Sequence, residues 1–190
     1  RGASRDEFAQ ALREGDRSRI EAMVCRRRVQ RGDAFFAPSG RLHAIDAGCL
    51  ILEIQQNSDT TYRVFDWGRV GLDGRPRALH LEESLRSINF ADVEPSLAPR
   101  AGEGGVRLLA ECDHFRVEEW AGKASGEIAN PAPAILHPIG GPCEVAAGSG
   151  SLSVPAGAIA LLPAGVRRLK LSSSAILALV GATPQGTAVT

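Results

Sequence analysis

From Val29 onward the sequence is a succession of short apolar runs broken by turn residues. GDAFFAPSG, RLHAI, CLILEIQQ and TTYRVFDW come first, and VRLLAECDHFRVEEWA, AILHPIGG, CEVAAGSGSLSV, AIALLPAG and VRRLKLSSSAILALVGA follow. Runs of this kind read as strands joined in hairpins, with Pro38-Ser39-Gly40 and Asn57-Ser58-Asp59 as turns in the first set. The 21 Gly and 11 Pro among 190 residues favour many short elements over long helices. Two stretches read as helical. At the start, Ser4 and Glu7 have capping-box spacing, Gly15 is placed to stop the turn, and Asp16 can begin a second short helix; a further helix is expected over Leu81 to Ile88. The segment 91–105 is rich in Pro, Gly and charge and reads as a linker. The expected layout is a helical segment over 1–28, a β-rich part over 29–90, the linker over 91–105 and a second all-β sandwich or barrel over 106–190.

The 22 basic and 22 acidic side chains cancel, so net charge proposes neither nucleic acid nor an anionic membrane as the main partner. No apolar stretch approaches the roughly 20 residues of a membrane span, and no leader-like pattern is present, so a cytoplasmic setting is expected. Cys25, Cys49, Cys112 and Cys143 form no C-x-x-C pair and read as buried, reduced thiols. Arg26, Arg27, Arg28 and Arg31 read as a solvated charged turn rather than an anion patch. The sequence opens on Arg1 rather than Met, which suggests a fragment or a processed chain.

Two segments share one spacing. Gly32, Pro38, Gly40 and His43 read G-x5-P-x-G-x2-H, and Gly157, Pro163, Gly165 and Arg168 read G-x5-P-x-G-x2-R, which suggests a duplicated β unit. An imidazole can ligate a metal and a guanidinium cannot, so only the first unit is expected to hold one. His43 alone has a structural reading as well as a ligand reading. In CLILEIQQ the face carrying Cys49 and Ile51 turns polar at Glu53. A turn centred on Ser58 would make Glu53 and Arg63 direct cross-strand neighbours, because 53 + 63 = 2 × 58. Such a pair is either an ordinary ion pair, worth about 0–1 kcal/mol at a surface, or a base beside an electrostatic clamp for a polyhydroxy anion.

The run GDAFFAPSGRLHAIDAGCLILEIQQNSDTTYRVFDWGRVGLDGRPRALHLEESL resembles the central block of type I mannose-6-phosphate isomerases, zinc-dependent members of the cupin superfamily. The EIQQNSDTTYRVFD core carries most of the likeness, the RGASRDEF opening adds to it, and the C-terminal half resembles the family's second, metal-free jelly roll. The resemblance implies a mainly β fold of tandem cupin jelly-roll barrels with a few short helices inserted, the first barrel being incomplete here. It implies an aldose-ketose isomerase that interconverts mannose 6-phosphate and fructose 6-phosphate through an enediol, with one Zn2+ per intact chain, a sugar-phosphate substrate, and a monomer favoured as the assembly. His43 matches a zinc ligand, and Arg63 matches an arginine that stabilises the enediol-type intermediate. Glu53 and Asp59 match acids associated with proton transfer or site organisation, and Arg69 falls where relatives have a basic residue suited to the sugar phosphate. The family supplies its other zinc ligands from a Q-x-H motif and a following glutamate upstream, together with a lysine; none precedes the helical opening here, and His80, His114 and His137 read as structural. The chain is therefore expected to be the C-terminal two-thirds of a larger enzyme or a metal-free remnant. The alternative function is a non-catalytic cupin module that binds a sugar phosphate or a protein partner.

Overall fold

The computed structural model of the chain describes residues 2–58, 60–94, 97–98, 105–128, 132–147, 150–166 and 168–181. These divide into two compact units, one formed by Arg1–Gln30 with Ala37–Ser96 and the other by Arg31–Phe36 with Leu97–Thr190. Part of the expected linker, residues 95–96 and 99–104, lies outside the described residues. Among the described residues no helix is long and apolar enough to cross a membrane.

In the first unit the helical opening forms as the sequence suggests. Helix α1 spans Arg5–Glu14, with the Ser4 side chain accepting from the Glu7 amide and the Glu7 carboxylate accepting in return from Ser4. Gly15 ends it in the left-handed conformation at φ 65°, and Asp16 caps α2, Arg17–Ala22. Helix α3 spans Leu81–Ser87. Phe8, Ala9 and Ala11 of α1, Ile20 of α2 and Leu85 of α3 are buried together, and Leu42, Val64 and Phe65 pack against them. This small core fixes the two segments in which His43 and Arg63 sit, because each lies one position from a residue it holds.

The expected strands RLHAI, CLILEIQQ and TTYRVFDW do not form a sheet. Among the described residues between Val29 and His80 the only strand-like pairing is an isolated antiparallel bridge from Val70 to Pro76. These segments are extended and expose apolar side chains, with Leu50 fully accessible and Ile51 at 51%. A strand is held by hydrogen bonds to a neighbour, and among the described residues no neighbouring strand supplies them.

The second unit is a two-sheet antiparallel sandwich, as the sequence suggests. Its strands are β1 Gly105–Glu111, β2 Phe115–Ala121, β3 Ser125–Glu127, β4 Ala134–Pro138, β5 Cys143–Ala147, β6 Gly150–Val154, β7 Ala160–Leu162, β8 Arg168–Leu171 and β9 Ala175–Val180. One sheet runs β1-β2-β9-β4-β7 and the other β3-β8-β5-β6. Strand β9 lies between β2 and β4, and its residues from Ala175 to Leu179 are all buried. Strand β8 alternates instead: Leu169 and Leu171 enter the core while Arg168 and Lys170 face out. Trp120, Leu136, Leu169, Leu171 and Leu177 fill the centre. The indole N–H of Trp120 donates to the fully buried Glu118 at 2.9 Å, and Arg116 Nε donates to the same carboxylate at 2.7 Å while its Nη1 donates to Glu111 at 2.9 Å.

Two expectations need correction. Only Cys143 is a buried thiol: Cys25 and Cys49 are exposed and Cys112 is half-buried, because Cys25 and Cys49 lie where no sheet covers them. His114 sits in the turn between β1 and β2 rather than in a strand, with its carbonyl accepting from the Gly181 amide.

Candidate functional site

Arg63 is the best-anchored of the candidate residues. Its amide donates to Nδ1 of His80 at 3.1 Å, and its carbonyl accepts from the His80 amide at 2.8 Å. Its guanidinium Nη1 donates to the Ala78 carbonyl at 3.2 Å, and Nε lies 3.9 Å from Asp66. Arg77 grips Asp66 through both Nε and Nη2. Residues 63 to 66 thus lie antiparallel to 77 to 80 in an irregular hairpin, closed at its far end by hydrogen bonds from Gly71 to the Arg75 carbonyl and from Gly74 to the Gly71 carbonyl. This replaces the expected pairing of Arg63 with Glu53. The Gly-Leu-Asp-Gly sequence at residues 71–74 is the local signal that this segment reverses and closes a hairpin.

Asp66 is the buried hub of this arrangement. The Arg77 hydrogen bonds hold its carboxyl below the ordinary aspartate range against the opposing effect of burial, and the charges of Arg77, Arg63 and Arg69 act in the same direction. Trp67 and Gly68 then take left-handed backbone, φ 51° and 72°, and the Arg69 amide donates back to the Asp66 carbonyl at 2.9 Å. The guanidiniums of Arg77 and Arg63 therefore face one carboxylate while the charge of Arg69 acts on it more weakly, a cationic setting suited to an anionic ligand. A depressed pKa means that Asp66 contributes its stabilisation fully above the 3.8 of an ordinary aspartate and loses it as pH falls through the lower folded value. Acid unfolding followed by circular dichroism should show the parent chain and Asp66→Asn converging in stability below pH 3.8, with the parent more stable above it. A constant gap across that range would remove Asp66 as the cause.

His43 follows the Pro38–Gly40 turn. Gly40 has φ 86°, and a Cβ there would lie 2.8 Å from the Ser87 carbonyl, so only glycine seats the turn on the end of α3. Arg41 binds Asp92 through Nε at 2.6 Å and Nη2 at 3.0 Å, with both side chains largely buried. Nδ1 of His43 is 3.0 Å from the Arg41 carbonyl. A carbonyl can only accept, so this contact places the proton on Nδ1 and leaves Nε2 as the nitrogen able to bind a metal. The imidazole itself is exposed. Among the described residues no group of three or more His, Cys, Asp or Glu is arranged to hold a metal ion, so His43 supplies one donor and not a complete site.

The remaining candidates are less closely held. Glu53 is exposed on an extended segment, Asp59 lies outside the described residues, and Arg69 is exposed. Asp46 is held below the ordinary carboxylate range first by the hydrogen bond from Arg26 and, more weakly, by the charge of Arg69. Arg26 of the charged turn thus has an ion-pair partner in Asp46, 20 positions on. Sequence reasoning missed Asp66 and Arg77 and gave His80 no role beyond structure.

The duplicated spacing has a geometric counterpart. Gly32 and Gly157 have φ 85° and 77°, and Gly40 and Gly165 have 86° and 95°. Arg41 donates to the Pro38 carbonyl at 3.1 Å, and Val166, 125 positions on (166 − 41), donates to that of Pro163 at 3.4 Å. At the same offset β8 corresponds to residues 43–46 and β9 to 50–55. In the second unit those strands pair with β2, β3, β4 and β5. The positions that would supply the same neighbours to residues 43–55 fall on or before α1 and α2.

No protein-family model matches the chain. It is 34% identical over 168 residues to mannose-6-phosphate isomerase ManA of Bacillus subtilis, covering 84% of this chain and 52% of that protein. It is 38% identical over 133 residues to the probable mannose-6-phosphate isomerase GmuF of the same organism, covering 68% and 41%. It is 35% identical over 154 residues to mannose-6-phosphate isomerase of Streptococcus mutans, covering 80% and 46%. Superposed on a crystal structure of the Bacillus subtilis mannose 6-phosphate isomerase, the fold matches with a TM-score of 0.78 at 26% identity, over 94% of this chain and 58% of that one. The chain thus spans about half the length of the curated relatives it matches, and its mainly β fold of antiparallel sheets is shared with the Bacillus subtilis mannose 6-phosphate isomerase.

Proposed function

We propose that this chain, a homologue of the mannose-6-phosphate isomerases, forms the C-terminal part of an enzyme that interconverts mannose 6-phosphate and fructose 6-phosphate. The observation that carries the reading is the match to ManA over 84% of the chain, which includes the EIQQNSDTTYR segment and with it Glu53 and Arg63. Moving a proton between adjacent sugar carbons generates enediolate charge, and a guanidinium fixed by its own backbone and by a carbonyl can stabilise that charge without reorganising. Arg63 is held in this way. Arg69, whose charge also acts on Asp66, is the residue proposed for the substrate phosphate. Glu53 and Asp59 are the two acids proposed for proton transfer or site organisation.

The proposed cofactor is one zinc ion. His43 Nε2 is its one candidate ligand among the described residues, which do not complete a zinc site, so no step of the reaction is derived through the metal. The further ligands belong, on this reading, to polypeptide outside these 190 residues. Support comes from the internal repeat: residues 43–46 and 50–55 correspond to β8 and β9 but, among the described residues, pair with no flanking strands. Metal analysis should find about one zinc per chain, and chelator-sensitive isomerisation of mannose 6-phosphate, when this sequence is joined to strands carrying the missing ligands. The 190 residues alone should retain far less than one. A metal-replete protein that does not turn over mannose 6-phosphate would sink the isomerase reading and favour a non-catalytic binding module.

A further inference from the structure

We propose that His80 is a positioning residue for Arg63. His80 stands at the N-cap of α3, where Ser, Thr, Asp or Asn ordinarily accepts from the first-turn amides, yet its side chain makes no capping hydrogen bond. Its Nδ1 instead accepts the Arg63 amide proton at 3.1 Å, while its own amide donates to the Arg63 carbonyl at 2.8 Å. One residue thus closes both backbone groups of Arg63. The side-chain half of this clasp requires a neutral imidazole protonated on Nε2, since Nδ1 must present its lone pair.

The clasp transmits the position of a rigid element. The His80 carbonyl accepts from the Ser84 amide at 2.9 Å, so the residue is continuous with α3. Leu85 of that helix is buried against Phe8 and Ile20, and Leu81 packs on the same cluster. The ring of Tyr62 meets that of His80 edge-on, with centroids 6.1 Å apart, which fixes the imidazole plane from the residue before Arg63. The guanidinium then spans to the Ala78 carbonyl, two positions before His80 on the same segment. Backbone and side chain of Arg63 are therefore both referred to the Ala78–His80 segment, and through it to the helical core.

The inference rests on the isomerase reading for the use made of Arg63, but the clasp itself is testable without it. In isotope-labelled chain, His80→Ala should raise the amide-exchange rate of Arg63 about tenfold or more and increase the mobility of its guanidinium. His80→Asn should restore both, because Asn Oδ1 can occupy the place of Nδ1; His80→Gln, whose oxygen reaches the Nε2 position instead, should not. In the zinc-loaded isomerase His80→Ala should lower kcat about tenfold, leave zinc content unchanged and leave KM within about twofold, with Asn again restoring turnover. If His80→Ala does not fold, the Asn and Gln pair carries the comparison. An Arg63 amide that stays protected in the Ala or Gln variant overturns the proposal, as does a kcat that stays at the parent value while Arg63 is loosened. A parent protein without isomerase turnover removes the isomerase reading instead, and the exchange data still decide the clasp.

Discussion

Arg63→Ala should lower kcat by about 10²–10³, equivalent to about 2.7–4 kcal/mol, in the zinc-loaded isomerase proposed to contain this chain. The basis is that the guanidinium is already in place: Nη1 rests on the Ala78 carbonyl, Nε faces Asp66 across 3.9 Å, and both backbone groups are closed by His80. A charge held this way gains most where negative charge appears in the transition state, so the loss should fall on kcat more than on KM. Zinc content should persist, because the hydrogen bonds described for Arg63 run to His80 and Ala78, while His43 rests on the Arg41 carbonyl. Arg63→Lys should recover only part of the rate, since an ammonium cannot bond Ala78 and face Asp66 in the same geometry. Single-turnover kinetics with metal analysis on the same samples checks this. A parent-like kcat in Arg63→Ala would take the residue out of the reaction.

The largest stability effect is expected in the second unit. Arg116→Leu should destabilise the second unit by about 3 kcal/mol, because it leaves the fully buried Glu118 without the guanidinium that neutralises it. The Trp120 indole also depends on that carboxylate as its acceptor at 2.9 Å. Adding Glu118→Gln should return much of the loss: the amide carries no charge, and its oxygen can still accept from Trp120. Urea unfolding of the single and double variants, followed by tryptophan fluorescence, makes the comparison. If the double variant is less stable than Arg116→Leu alone, the cost is lost packing and not an isolated charge.

The second unit was legible because its sequence contains both sides of every pairing. Alternation in RLKL puts Leu169 and Leu171 inside and Arg168 and Lys170 outside, and the unbroken apolar run AILALV becomes the doubly covered strand β9. The capping box at Ser4 and the stop at Gly15 were equally readable, since each is a local hydrogen-bond pattern. The Glu53–Arg63 hairpin failed for a physical reason: periodicity reports which residues suit a strand, not whether a partner strand is present. CLILEIQQ has the composition of a central strand and stays exposed, with Leu50 fully accessible. Arg63 was singled out by its expected pairing with Glu53 and given its role by the family-like motif, but its actual supports were not found. The Arg77–Asp66 pair and the His80 contact join positions 11 and 17 apart across a loop, a register that neither alternation nor a two-residue turn announces.

The paired glycine turns bear on how such a chain could assemble. Gly40 and Gly165 have similar φ, 86° and 95°, although only the second leads into a formed sheet, so the reversal at Pro-x-Gly does not require a closed ladder. A chain that arrives with its bends already set has less loop entropy to lose when neighbouring strands arrive. Assembly around residues 43–55 would then be a templating event, in which incoming backbone reads a direction and a spacing already laid down.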